Sequence, residues 1–180
     1  MIQYFTPFDV GKCIGKAYNE SMSLLPNEDD WGCLLDGDTL FLTPNFGKQI
    51  IDIVTYYKYL NVGLFTCLTN RIKNPYQKYN GIISEDSDIR NHIDIALKVQ
   101  ENHYLEISEI PRTISGMMML VQKKVWASVG GFDEEGILQV DNKFSKKILL
   151  SHRKIYCMRG VYIFHTYRLG KDRRDKSHLK

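Results

Sequence analysis

Two carboxylates separated by one glycine, Asp36-Gly37-Asp38, stand where the apolar run from Trp31 to Leu35 ends. A strand that stops on such a pair presents both carboxylates from one turn. The glycine between them leaves room for a hard cation and a diphosphate to approach the backbone. Spacing alone is weak support, because an aspartate-rich chain contains such a tripeptide by chance. The sequence supplies a control in Asp86-Ser87-Asp88, which has the same spacing. That copy lies in a polar stretch ahead of an amphipathic segment, where acidic residues start helices and suit the positive end of the macrodipole. The first copy is therefore the candidate cation site, with a polar strand-to-turn cap as the plain alternative.

Other residues of chemical interest are ambiguous taken singly. Asp141 precedes the last helical segment, where aspartate serves as an N-cap. His165, inside the apolar run from Val161 to Tyr167, reads as a satisfied core histidine. His92, His103, His152 and His178 show no ligand-type spacing, and Met117 to Met119 read as core. The four cysteines (Cys13, Cys33, Cys67 and Cys157) form no CxxC pair, so neither a zinc site nor a disulfide framework is expected.

Elements must bring these residues together. Strands are expected at Ile2–Thr6, Trp31–Leu35, Val62–Leu68, Met117–Val121, Ile155–Met158 and Val161–His165, with Thr39–Leu42 extended. Helices are expected over Gly11–Leu25, Phe46–Leu60, Asp88–Glu101, Lys123–Val129 and Asp141–Leu150. Thr69 to Gly81 reads as a loop of functional length. Alternating strands and helices predict one α/β domain over residues 1–167, Rossmann-like, with a mostly parallel sheet and ligands at the carboxyl ends of strands. Asp36 falls at such an end. A net charge of +3 over 180 residues does not announce a nucleic-acid binder. The excess gathers in a basic tail, 168–180, which reads either as a solvated chain end or as a flap that meets phosphates. No signal peptide is evident and no apolar run approaches the roughly 20 residues that span a bilayer, so a cytoplasmic setting is expected.

In order along the chain, Gly15-Lys16-Ala17-Tyr18-Asn19, WGCLLDGDTLFLTP and SGMMMLVQKKVWASVGGFDEEG resemble the corresponding passages of family 2 glycosyltransferases, which have the GT-A fold. Tyr18 stands where that family usually has arginine. Val140-Asp141 occupies the place of its Glu-Asp pair, so the glutamate is missing. The interval from Asp141 to His165 is also similar to the family's. The resemblance covers roughly Lys12 to Tyr167, with an abbreviated half before Asp36. It implies inverting transfer from a nucleoside-diphosphate sugar, a UDP-sugar first, to an acceptor hydroxyl. Asp141 is then the general base, and Asp36, Asp38 and His165 hold Mn²⁺ or Mg²⁺. The donor side would comprise Thr6, Pro7, Phe8, Asn19, Asp36, Gly37, Asn70, Arg71 and Gly116. A saccharide, a lipid-linked sugar, a small molecule or a modified nucleic-acid base would serve as acceptor. Two rivals remain. LLDGDTLF is similar to the nucleophile motif of haloacid-dehalogenase-type phosphohydrolases, with Asp36 as nucleophile. The short front half and the lost glutamate also suit a non-catalytic nucleotide-sugar binding module.

Overall fold

The computed structural model of the chain describes residues 1–134, 136, 138–166 and 169. The expected basic tail, Leu169 apart, lies outside the described residues. The strands are β1 (Ile2–Phe5), β2 (Trp31–Leu35), β3 (Thr39–Phe41), β4 (Val62–Thr69), β5 (Ile107–Ile110), β6 (Met118–Gln122) and β7 (Lys154–His165). The α-helices are α1 (Ile14–Ser23), α2 (Phe46–Tyr56), α3 (Ile89–His103), α4 (Lys123–Ser128) and α5 (Val140–Leu150). All seven strands join one sheet in the order β1-β2-β6-β4-β7-β3, with β5 also on β7.

The expectation of a mostly parallel sheet is corrected. Only β1–β2 and β4–β7 run parallel. The pairs β2–β6, β4–β6, β3–β7 and β5–β7 are antiparallel. Helices cover both faces, so the central strands β2, β4 and β6 are nearly continuous apolar runs whichever way they point, and the sequence carries no sign of direction. Direction matters for the site. Because β6 runs against β2, its amino end lies beside the carboxyl end of β2, and the Asp36 N–H donates to the Met117 carbonyl (3.0 Å).

Side chains alternate between two cores, as the strand period of two requires. Leu34, Leu64, Leu68, Met119, Val121, Ile155 and Tyr162 face α1, α3, α4 and α5. Cys33, Phe65, Cys67, Met118, Leu120, Met158 and Ile163 face α2. Full burial of a Leu, Ile or Phe is favourable by about 1.5–3 kcal/mol each, so these two layers hold the sheet rigid beneath its carboxyl edge.

β7 is one strand rather than the two expected, because the chain bulges at 159–161, where Met158 pairs with Cys67 but Tyr162 with Leu68. Gly160 makes the bulge possible, since a Cβ there would sit 2.3 Å from the His103 carbonyl oxygen. Beyond the bulge, β7 leaves β5 and pairs with β3, setting Thr39 opposite His165. The two ends of the sheet are then tied beneath the site: Tyr4 of β1 packs edge-on against Phe41 of β3 and Phe46 of α2. No described helix is long and apolar enough to cross a membrane.

Candidate metal centre

The turn after β2 is locked on both sides. The Thr39 amide and hydroxyl donate to the Asp36 carbonyl (3.2 and 2.7 Å), and the Thr166 amide donates to the Asp38 carbonyl (3.0 Å). The last residue of β7, His165, thereby faces the turn. Its Nε2 lies 3.2 Å from Asp38 Oδ1. One ligand atom from each of Asp36, Asp38 and His165 falls within 4.8 Å of the others. Oxygen and nitrogen ligands each about 2.0–2.6 Å from a shared cation lie roughly 3–5 Å apart, from neighbouring to opposite positions, so the cluster is within reach of one ion.

The second partner of the histidine fixes its tautomer. His165 Nδ1 is 2.8 Å from the Arg71 carbonyl oxygen. A carbonyl only accepts, so Nδ1 carries a hydrogen; Nε2 faces Asp38, donating to it from the protonated ring and offering its lone pair to a metal from the neutral one. His165 is buried, 3% exposed, whereas the Asp38 side chain is 43% exposed. The centre is thus walled on one side and open on the other.

Its electrostatics call for positive charge. Burial pushes the Asp36 carboxyl up to about 6; the Asp38 and Asp141 charges add to this rise, and His165 opposes it. Asp38 is also raised by burial, but the hydrogen bond and charge of His165 outweigh that and bring it below the ordinary range. Asp141 is raised by burial, against which the Asn142 and Gly116 amides pull it down. Three carboxylates crowd one edge of the sheet, and a divalent cation relieves their repulsion. Two carboxylates and one imidazole are a donor set that could hold a divalent metal ion.

Asp141 opens α5 and is aimed by two main-chain groups: Gly116 N–H donates to Oδ2 and Asn142 N–H to Oδ1, both at 2.8 Å. A Cβ on Gly116 would come within 2.9 Å of Asp141 Cβ, so the glycine admits the aspartate. Buried Gln77 sets the height of this segment, pairing with Ser115 through both amide atoms (2.9 and 2.8 Å) and donating to Thr66 Oγ1 (2.8 Å). Thr6 closes the near side, its methyl 3.6 Å from where a Gly37 Cβ would be. Pro7 follows, and Phe8 stands 81% exposed.

Asn70 joins the centre through His165, whose backbone N–H donates to its Oδ1 (2.8 Å). Two other expected donor residues are engaged elsewhere. The buried Arg71 guanidinium bonds the Ser84 carbonyl (2.7 Å) and Glu85 (2.6 Å), and what it lends the centre is its main-chain carbonyl. Asn19 spends its amide as a clamp, accepting from Trp126 Nε1 and Phe132 N (2.9 Å each) and donating to Phe132 O (3.0 Å) and Glu134 Oε1 (2.8 Å). Gly15 lets the same segment close in, a Cβ there meeting the Asp133 carbonyl oxygen. The Gly15–Asn19 and Gly131–Asp133 passages therefore fasten each other.

Tyr18 went unassigned in the sequence. It is buried, and burial together with the charges of Asp36 and Asp141 holds its proton firmly. Comparison with protein-family models gives no match, and comparison with curated protein sequences gives none.

Proposed function

We propose that the chain is a divalent-metal-dependent glycosyltransferase, cytoplasmic, acting on a nucleoside-diphosphate sugar (a UDP-sugar first) and an acceptor hydroxyl. The observation that carries this reading is the meeting of Asp36, Asp38 and His165 within 4.8 Å, with the charge of Asp141 reaching Asp36. When bound there, Mn²⁺ or Mg²⁺ supplies positive charge to a leaving diphosphate. Asp36 and Asp38 hold the cation side. Asp141, with its affinity for a proton raised, accepts the proton of the acceptor hydroxyl. The acceptor oxygen bonds to the anomeric carbon as the bond from that carbon to the diphosphate oxygen breaks. A single displacement of this kind inverts the anomeric centre. Gly116 and Asn142 keep the Asp141 carboxylate in place through its turn as base. Saccharides, lipid-linked sugars, small molecules and modified nucleic-acid bases are the acceptors to screen.

A thermal-shift panel of nucleoside diphosphates with and without Mn²⁺ tests the reading, since a ligand bound only by the folded state raises its stability. Stabilisation should require both components. Release of inorganic phosphate with an aspartyl-phosphate trapped at Asp36 would turn the assignment to a phosphohydrolase. Binding of a UDP-sugar with no turnover on any acceptor would leave a binding module.

A further inference from the structure

Asn70 is buried to 2% exposure at the carboxyl end of β4. Its Oδ1 accepts from the His165 backbone N–H (2.8 Å) and from the Thr69 hydroxyl (3.1 Å). A peptide N–H only donates, so the atom facing it is oxygen and the amide cannot be flipped. That leaves Nδ2 on the other branch with no partner, the one such buried side-chain polar atom among the described residues. Comparable buried amides are closed: Gln49 donates to Tyr104 O and Gly160 O, and Gln77 to Ser115 O and Thr66 Oγ1. An unmet donor of this kind calls for a ligand or a water. This one belongs to the side chain that holds the backbone of the histidine facing Asp38.

We propose that Asn70 is a positioning and recognition residue with two separable roles. Its Oδ1 seats His165, and its free Nδ2–H donates to an oxygen of a diphosphate held on the same cation. This rests on reading Asp36, Asp38 and His165 as a metal centre, and it assigns the diphosphate side of that centre to β4.

The test titrates the full chain first with Mn²⁺ alone, then with inorganic pyrophosphate at fixed excess Mn²⁺, for the parent, Asn70→Asp and Asn70→Leu. Asn70→Asp keeps the acceptor for His165 and loses the donor. It should bind Mn²⁺ at least as well as the parent while pyrophosphate weakens roughly 10-fold or more. The loss should persist at high salt, because a missing hydrogen bond is not screened whereas repulsion by the added charge is. Asn70→Leu should weaken both ligands. In the unmodified protein loaded with Mg²⁺, pyrophosphate should shift the Asn70 side-chain amide signals in a ¹H–¹⁵N spectrum, which keeps the test valid if a variant fails to fold. Unchanged pyrophosphate affinity in Asn70→Asp, a loss that vanishes at high salt, or unshifted amide signals would overturn the proposal and leave a water on Nδ2. A parent chain that binds no Mn²⁺ would instead remove the metal centre itself.

Discussion

Asp36-Gly37-Asp38 and Asp86-Ser87-Asp88 have the same spacing and opposite fates. In the second, every carboxylate oxygen has a local partner. Asp86 accepts from the Asp88 amide and the Asn91 side chain (2.8 Å each), and Asp88 accepts from the Arg90 amide (3.0 Å) and guanidinium (2.6 Å). Both acids are lowered as a result, Asp86 chiefly by the Asp88 amide and Asp88 chiefly by the Arg90 side chain. In the first, no described residue donates a hydrogen bond to the Asp36 carboxylate, which burial, with the Asp38 and Asp141 charges adding to it, raises to about 6. A satisfied pair builds a helix start; in the other pair Asp36 has no described donor and Asp38 has the His165 ring facing it, an arrangement that can take a cation. What separates them is the strand end beneath the first and the arrival of β7 beside it.

The comparison breaks most sharply at Asp141. Asp141→Asn retains an oxygen for one of the two amides but cannot take a proton. Turnover, followed as nucleoside diphosphate release from a UDP-sugar with Mn²⁺, should fall by about 10²–10⁴ with donor binding kept. Retained turnover would show that Asp141 is only a cap. Next in size, Asp38→Ala should weaken Mn²⁺ by more than roughly 100-fold, since loss of outer-shell partners alone costs 10–100-fold. Equal Mn²⁺ binding by Asp38→Ala and the parent would remove the distinction between the two tripeptides.

Several features of this contrast were legible in the residues. The apolar run into Asp36 and the polar setting of Asp86 separated strand end from helix start, and apolar spacing placed the helices α2 and α3. Boundaries slipped where side chains act as caps. The first helix begins at Ile14, not Gly11, because the Asp9 carboxylate takes the Cys13 amide (2.8 Å) and keeps the loop going. β5 was missed because Ile-Ser-Glu-Ile is four residues long and ends before Pro111. Strand direction was illegible because buried strands look alike either way. The convergence of Asp36, Asp38 and His165 came from resemblance, and spacing alone could not have supplied it. The Arg71 carbonyl left no trace, since a main-chain group has no residue type to read.

A smaller effect, in stability, tells charged from satisfied carboxylates. The Asp36 pKa rises from 3.8 to about 6 on folding, so folding favours its neutral form. That contribution is complete below about pH 4 and is lost as pH climbs through 6. Allowing for the solvent that still reaches the group, the loss is on the order of 1 kcal/mol. Asp38, lowered, works the other way and loses its contribution as pH falls. Metal ligands must be deprotonated, so stabilisation by Mn²⁺ should grow between pH 5 and 7. Melting curves with and without Mn²⁺ across that range check both signs, and a metal effect independent of pH would mean that Asp36 is not a ligand.

The smallest change should come from the satisfied pair. Asp88 is the N-cap of α3, its Oδ1 accepting the Arg90 N–H. Asp88→Ala leaves that amide to water and removes the ion pair with Arg90, which is exposed and worth little. Loss of the cap should lower Tm by about 2–4 °C, with Mn²⁺ affinity and turnover unchanged. α3 is held on β7 by Ala96, Val99 and, in its first turn, buried His92, which bonds the Tyr162 hydroxyl (2.7 Å) and packs against Phe164, so fraying confined to Asp88 should leave His165 in place. A fall in Mn²⁺ affinity in Asp88→Ala would therefore show that the segment from Ser84 to Asp88, bonded to Asn70 and Arg71 at its start, is mechanically part of the metal centre.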